Sequence, residues 1–179
     1  MKQIVKNVTF GIVAAFISLL ASSALHAEGS PVYVGFDGTY GVKNSTSSQA
    51  IELGLKAAIY EINAAGGVLG GRPLELIIKD NRSVAARGIA NFEEFAAVTD
   101  LVAIINDRFS PVILQQLEPA HTKQMLLLGV WGAADDITEH AFTPSYTFRL
   151  SLKDSWAMPA MLSRALEKVG DKVGVLLPN

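Results

Sequence analysis

Cysteine is absent from all 179 residues. This excludes disulfides, thiol catalysis, zinc–thiolate sites and a lipidated N-terminal cysteine, and it leaves the chain to be held by its core alone. Charge is scarce and balanced. Only 18% of residues are charged, 15 basic against 17 acidic, for a formal net charge of -2 with no run of like charges. Nucleic-acid binding needs a basic patch or stripe, so no nucleic-acid partner is expected. Catalytic motifs are missing as well: there is no Gly-x-Ser-x-Gly elbow, no His-Glu-x-x-His pair and no base beside a candidate nucleophile, so hydrolysis has no visible machinery. Internal repeats and low-complexity tracts are also lacking. What is present is apolar, 50% of the chain, in a length that allows one domain with a sizeable core.

The first 27 residues stand apart. Lys2 and Lys6 precede the uncharged apolar run "VTFGIVAAFISLLA" (8–21), and the small-residue stretch "SSALHAEGS" follows. A basic start, an apolar middle and a small-residue end make a secretory signal peptide. Cleavage after Ala24 puts Ser22 and Ala24 at the recognised positions, cleavage after Ala27 puts Leu25 and Ala27 there, and both bonds stay open. The alternative is an uncleaved membrane anchor, which wants about 20 apolar residues, more than this run offers. Residues 1–27 are therefore expected to direct export, and an exported, cysteine-free domain suits a bacterial periplasm.

Beyond them, apolar runs of strand length alternate with segments of helical period. "VYVGF" (32–36) is followed by a stripe of Ile51, Leu55, Ile59 and Ile62, with Ser and Thr residues at 45–48 as N-cap candidates and Gly66-Gly67 as the stop. "RPLELIIKD" (72–80) reads as a strand, and Ser83 as the cap of a helix with Ile89, Phe92, Phe95 and Ala96 on its apolar face. The strand "LVAII" (101–105), a helix carrying Val112, Ile113 and Leu117 to about Ala120, and the strand "QMLLLGV" (124–130) follow. A short helix near 135–141, a strand near 146–150, a helix near 154–169 and a last strand "KVGVLL" (172–177) complete the order. Such alternation implies βαβ units and a parallel sheet, and near-continuous apolar runs imply strands buried on both faces. A buried-type strand followed only by Pro178-Asn179 suggests a fragment.

In open α/β sheets ligands bind beyond the carboxyl ends of the strands. In "NDRFSP" (106–111), Ser110 before Pro111 is a strong helix start, and the helix N-terminus behind it suits a carboxylate or other anion. Ser110, with Arg108 and Phe109 beside it, is thus a candidate for ligand contact; the bland reading is that Ser110 only caps its helix. After the next strand, Gly132 and Ala133 let a ligand approach the backbone while Trp131 offers a wall or a stacking face; against this stands an ordinary core tryptophan. In "GFDGTYG" (35–41) the glycine spacing misses both the dinucleotide fingerprint and the phosphate loop, so the expectation is a loop whose Asp37 and Tyr40 face the cleft. "DDITEH" (135–140) sets Asp136 with His140 and Asp135 with Glu139 at i, i+4, a metal-chelating spacing that the helix dipole explains equally well. His121 has the same dipole explanation. No cofactor is expected.

The segment "AIYEINAAGGVLGGRPLELIIKDNRSVAARGIANFEEF" resembles the first lobe of the leucine/isoleucine/valine-binding proteins, type I periplasmic solute-binding components of ABC transporters, with "INAAGG" the most specific part. The likeness runs from about Val32 to the end. It implies a Rossmann-like, parallel-sheet α/β lobe over residues 30–148, then the crossover and the incomplete beginning of a second lobe over 149–179. It also implies a small-molecule ligand such as an amino acid or related carboxylate held between two lobes, and a membrane permease as partner. Ser110 matches the family's serine at the start of the third helix, and Trp131 and Ala133 fall at two ligand positions of the loop after the fourth strand. The sequence departs from the family where a hydroxyl residue is usual, here Ala133, and where a small one is, here Trp131; "DRF" before Ser110 also differs. Two other readings stay open: a ligand-sensing ectodomain of a chemoreceptor or kinase, and a nucleotide-dependent α/β enzyme using Gly35 to Gly41.

Overall fold

The computed structural model describes residues 29–41 and 46–170, together with 172 and 174. The expected signal peptide, and most of the strand expected over 172–177, lie outside the described residues. Five strands, β1 (Val32–Gly38), β2 (Leu74–Asp80), β3 (Leu101–Asn106), β4 (Leu126–Gly129) and β5 (Thr147–Arg149), form one parallel sheet in the order β2-β1-β3-β4-β5. The helices are α1 (Thr46–Ala64), α2 (Ala85–Ala96), α3 (Ser110–Thr122) and α4 (Asp154–Val169). Because the chain leaves β1 towards one edge and returns to β3 on its other side, the strand order reverses between β1 and β3. A crevice opens beyond the carboxyl ends of strands at such a switch point.

The core lies where α2 and α3 cover the sheet. Phe92, Phe95, Ile104, Ile113, Leu117, Leu127 and Ile137 form one buried cluster. Two glycines allow this approach: a Cβ at Gly35 would stand 2.8 Å from the Phe95 ring, and one at Gly88 would stand 2.4 Å from Val112 Cγ1. The "INAAGG" segment has a structural account of its own. Asn63 binds Leu74 twice, its Nδ2 donating to the carbonyl at 2.9 Å and its Oδ1 accepting from the N–H at 2.8 Å, which fixes where β2 begins. Gly67 has φ +76°, and a Cβ there would meet the Arg72 carbonyl oxygen at 2.3 Å.

Three local expectations are corrected. Ser83 does not cap α2: it has φ +57°, its N–H donates to Asn81 Oδ1 at 2.8 Å, and the cap position is Val84. Ser110 is not the N-cap of α3 but its first residue, with Phe109 at the cap position and no side-chain capping bond. The expected helix over 135–141 is one 3-10 turn, Asp135–Ile137. The backbone leaves the helical region at Thr138, with φ -131°, and the hydroxyl of that residue accepts from Arg149 Nε at 3.0 Å.

Candidate functional site

The strand β3 ends on Asn106, Asp107 follows it, both are buried, and the chain then turns outward through exposed Arg108. Asp107 organises this turn. Its Oδ2 accepts from the Ser48 hydroxyl at 2.6 Å, while Ser48 Oγ accepts from the Thr39 N–H at 3.1 Å. Its Oδ1 accepts from the Phe109 N–H at 3.4 Å, and its carbonyl accepts from the Gly132 N–H at 3.2 Å. One residue thus ties together the loops that follow β1, β3 and β4.

Phe109 is half-buried, and its carbonyl opens α3 by accepting from Val112 and Ile113. Ser110 turns its oxygen to the loop after β4, where the N–H groups of Ala133 and Ala134 donate to it at 3.1 and 3.2 Å. A serine oxygen has two lone pairs and one hydrogen. With both lone pairs taken by backbone donors, the hydroxyl hydrogen is what Ser110 offers to a ligand, and it requires an acceptor opposite.

That loop is held from behind. Arg149 at the end of β5 donates Nη1 to the Ala133 carbonyl at 3.3 Å, Nη2 to the Ala134 and Asp135 carbonyls, and Nε to Thr138 Oγ1 at 3.0 Å. The Ser151 hydroxyl donates to the Gly132 carbonyl at 2.5 Å, and the Asp154 N–H to that of Ala133 at 2.9 Å. Gly132 is buried where a Cβ would come within 2.5 Å of Ile113 Cδ1 and 3.0 Å of Ile137 Cδ1, so its lack of a side chain is a packing requirement. Trp131 is not a core residue: it is 55% exposed. Phe109, Ser110, Trp131, Gly132 and Ala133 therefore meet at one end of the sheet, with Arg108 exposed beside them.

Asp37 departs from the expected cleft-facing position. Its carboxylate is buried, with Oδ1 accepting from Asn91 Nδ2 at 2.7 Å and Oδ2 from Gln116 Nε2 at 2.8 Å. Burial raises its pKa to about 6; the amide bonds pull the other way, and the charge of Asp107 adds to the rise. Tyr40 is half-buried and its hydroxyl donates to Glu52 Oε2 at 2.6 Å on α1. Burial and that bond push its phenol well above the ordinary range.

The remaining candidates find structural roles. Gly35, Gly38 and Gly41 are each crowded by a side chain, Phe95, Tyr40 and Arg82 respectively, which accounts for them without a phosphate. Asp136 is exposed, and His140 Nε2 lies 2.6 Å from Thr147 Oγ1. Among the described residues no group of three or more His, Asp or Glu side chains is arranged to hold a metal ion. His121 Nε2 accepts the Tyr146 N–H at 3.2 Å, so Nδ1 carries the hydrogen and donates to the Leu117 carbonyl at 2.6 Å. Gln116 and Arg149 are not singled out by the sequence; Ser48 stands there only among the N-cap candidates at 45–48, and Asp107 only within the polar break "NDRFSP". Gln116 alone carried a signal, a polar residue between Ile113, Leu117 and Ala120 on the apolar face of α3.

The sequence model of one family, described as periplasmic binding protein, matches residues 31–179. No curated protein matches. Solved structures do. A branched-chain amino acid transporter substrate-binding protein of Streptococcus pneumoniae, in complex with isoleucine, is similar with a TM-score of 0.68 at 22% identity, over 77% of this chain and 38% of that one. A possible leucine/isoleucine/valine-binding protein of Rhodopirellula baltica gives 0.69 at 16% identity, over 82% and 38%. A solute-binding protein of an ABC transporter of Rhodopseudomonas palustris, in complex with 3,4-dihydroxybenzoic acid, gives 0.65 at 18% identity, over 78% and 37%. The chain thus spans less than two fifths of the length of each of these three structures. Among its described residues no helix is long and apolar enough to cross a membrane.

Proposed function

The chain belongs to the periplasmic binding protein family, and from that premise we propose that it forms the first ligand-binding lobe of a periplasmic solute-binding protein of an ABC-type uptake system. Residues 30–148 are the lobe; residues 149–179 are the crossover and the start of a second lobe. The ligand is a small molecule bearing a carboxylate, such as an amino acid or an analogue, held between two lobes and passed to a membrane permease. No chemistry is done on it. Residues 1–27 direct export to the periplasm.

One observation carries this reading: Ser110 presents a hydroxyl hydrogen whose oxygen is saturated by the Ala133 and Ala134 N–H groups. A nucleophilic serine needs a base on that hydrogen and a lone pair free to attack. Ser110 has its lone pairs occupied, which suits donation to a carboxylate at the head of α3, where the helix dipole also favours negative charge. Exposed Trp131 favours a particular kind of carboxylate, one with an apolar or aromatic body lying against the indole.

Titration calorimetry of the protein with L-leucine, L-isoleucine and 3,4-dihydroxybenzoate tests the proposal. Binding of at least one, weakened about tenfold or more by Ser110→Ala through loss of a charge-assisted hydrogen bond, is expected. A protein that binds no carboxylate in a wider panel of amino and aromatic acids would sink it.

A further inference from the structure

The loop after β4 reaches Ser110 through two peptide groups, and each of those groups is gripped at its other end. A peptide group is planar and trans, so its carbonyl and its N–H point in opposite directions and turn together. In the group joining Gly132 to Ala133, the N–H donates to Ser110 Oγ at 3.1 Å and the carbonyl accepts from the Ser151 hydroxyl at 2.5 Å. In the group joining Ala133 to Ala134, the N–H donates to the same Ser110 oxygen at 3.2 Å. Its carbonyl accepts from Arg149 Nη1 at 3.3 Å and from the Asp154 N–H at 2.9 Å. Ser110 and the segment 149–154 thus hold opposite ends of the same two peptide groups.

Two effects run along these groups. The first is geometric. Rotating either plane breaks bonds at both ends, so the segment 149–154 fixes the directions from which Ser110 Oγ receives its two donors. Those directions in turn leave one place for the hydroxyl hydrogen. The second is electrostatic. A donor on the carbonyl polarises the peptide group, its N–H then donates more strongly, and an oxygen that receives such donors gives its own hydrogen more readily to an acceptor. On one of the two groups that donor is a guanidinium, whose charge favours donation from Ser110 to an anion. Arg149 is itself fixed, with Nε on Thr138 Oγ1 at 3.0 Å and Nη2 on the Ala134 and Asp135 carbonyls. A lysine, with a compact ammonium in place of a planar fork, does not reproduce that set.

We infer that Ser151 and Arg149 are positioning residues for the ligand cleft, setting the direction and donor strength of the Ser110 hydroxyl through the two peptide groups that join Gly132, Ala133 and Ala134. The inference rests on the reading of Ser110 as a ligand donor. It makes the segment after β5 part of the binding machinery, acting from behind the loop. Because coupling between sites is reciprocal, an acceptor placed on Ser110 by a ligand also tightens the bonds at Ser151 and Arg149.

The test follows the backbone amide protons of Ala133 and Ala134 by NMR in Ser151→Ala, in Ser151→Thr, which keeps the hydroxyl, and in Arg149→Lys. Ser151→Ala should move the Ala133 signal upfield as its bond to Ser110 loosens, and the Ala134 signal less; Ser151→Thr should return both toward wild type. Arg149→Lys should reverse the order and move Ala134 more. Titration with L-leucine and 3,4-dihydroxybenzoate supplies the second readout. Ser151→Ala should weaken the probe that binds by about twofold to tenfold, the worth of one neutral hydrogen bond, and should leave the affinity of Ser110→Ala unchanged, because the oxygen it acts through is gone. An equal loss on both backgrounds would mark Ser151 as a brace of the loop and overturn the inference. So would an Ala133 signal that Ser151→Ala leaves in place or moves no more than that of Ala134. If Arg149→Lys does not fold, the two Ser151 variants carry the test; if Ser110→Ala binds neither probe measurably, the amide signals decide it. Should neither probe bind the wild type, an Ala133 signal that responds to Ser151→Ala still supports the positioning of Ser110, and the reading of Ser110 as a ligand donor is what falls.

Discussion

At position 110 a hydroxyl group is worth more than its own hydrogen bond to a ligand. The two N–H groups that it receives come from the loop carrying Trp131, so the same oxygen that orients the donor also seats the opposite wall of the crevice. Asp37 shows the converse, a charged group that costs stability where it sits. Its folded pKa of about 6 exceeds the ordinary value of 3.8, so between those values the folded chain holds more protons than the unfolded one, and stability falls as pH rises. A shift of this size corresponds to about 3 kcal/mol at about 1.4 kcal/mol per unit. Urea unfolding of wild type and Asp37→Asn, compared from below pH 4 to above pH 7, should show the wild type losing stability relative to the variant by up to about that amount. A difference that stayed flat or grew with pH would contradict it. Glu52 and Asp80 work in the opposite direction, Glu52 held low first by its bond to Lys56 and Asp80 by backbone N–H donors against the effect of its burial. Their contribution is lost as pH falls, so the comparison must be between variants and not across pH alone.

Among the elements, the join between α1 and β2 depends on one side chain. Asn63 satisfies both backbone groups of Leu74, and leaving two partly buried groups unpaired costs about 1–3 kcal/mol. Asn63→Ala should lower the urea midpoint accordingly, while Asn63→Asp, which keeps the acceptor for the Leu74 N–H, should lose less; equal losses would show that the acceptor contributes nothing. The strand and helix order was legible in the sequence because each strand is an apolar run and each long helix has an apolar stripe. Those signals come from burial, which every member of an element shares. The details at the ends were not legible for the same reason. Ser110 and Pro111 carry the signature of a cap, yet the serine's oxygen is claimed by a loop more than twenty residues later in sequence. Two acids and a histidine at 135–140 read as a short helix, yet the backbone leaves the helical region at Thr138, whose hydroxyl is held by Arg149 on another strand. Asp37 lies in "GFDGTYG" (35–41), which the sequence presents as a loop with Asp37 and Tyr40 facing the cleft, whereas Asn91 and Gln116 draw Asp37 into the interior. In each case the deciding partner is remote in sequence.

For the chain as a whole, the sheet with α2 and α3 is closed over a core, but among the described residues α4 is joined to it only at its start. The Asp154 N–H donates to the Ala133 carbonyl at 2.9 Å and the Ser155 N–H to Asp135 Oδ1 at 3.2 Å. Beyond that turn α4 buries no residue, and its apolar side chains stand open, Trp156 at 63%, Met161 at 65% and Val169 at 78%. Pro159 further removes one helical donor from its interior. Helices in water at this length are marginal without a packed face, since tertiary burial supplies most of the stability of protein helices. In this chain α4 should therefore open independently of the lobe. Hydrogen exchange should show the amides from Trp156 to Val169 exchanging orders of magnitude faster than those of β1 and β3, and brief proteolysis should cut within α4 while leaving the lobe intact. Protection of α4 equal to that of β3 would mean that its apolar face is covered in solution, and the picture of a closed lobe with a loosely held helix would have to be given up.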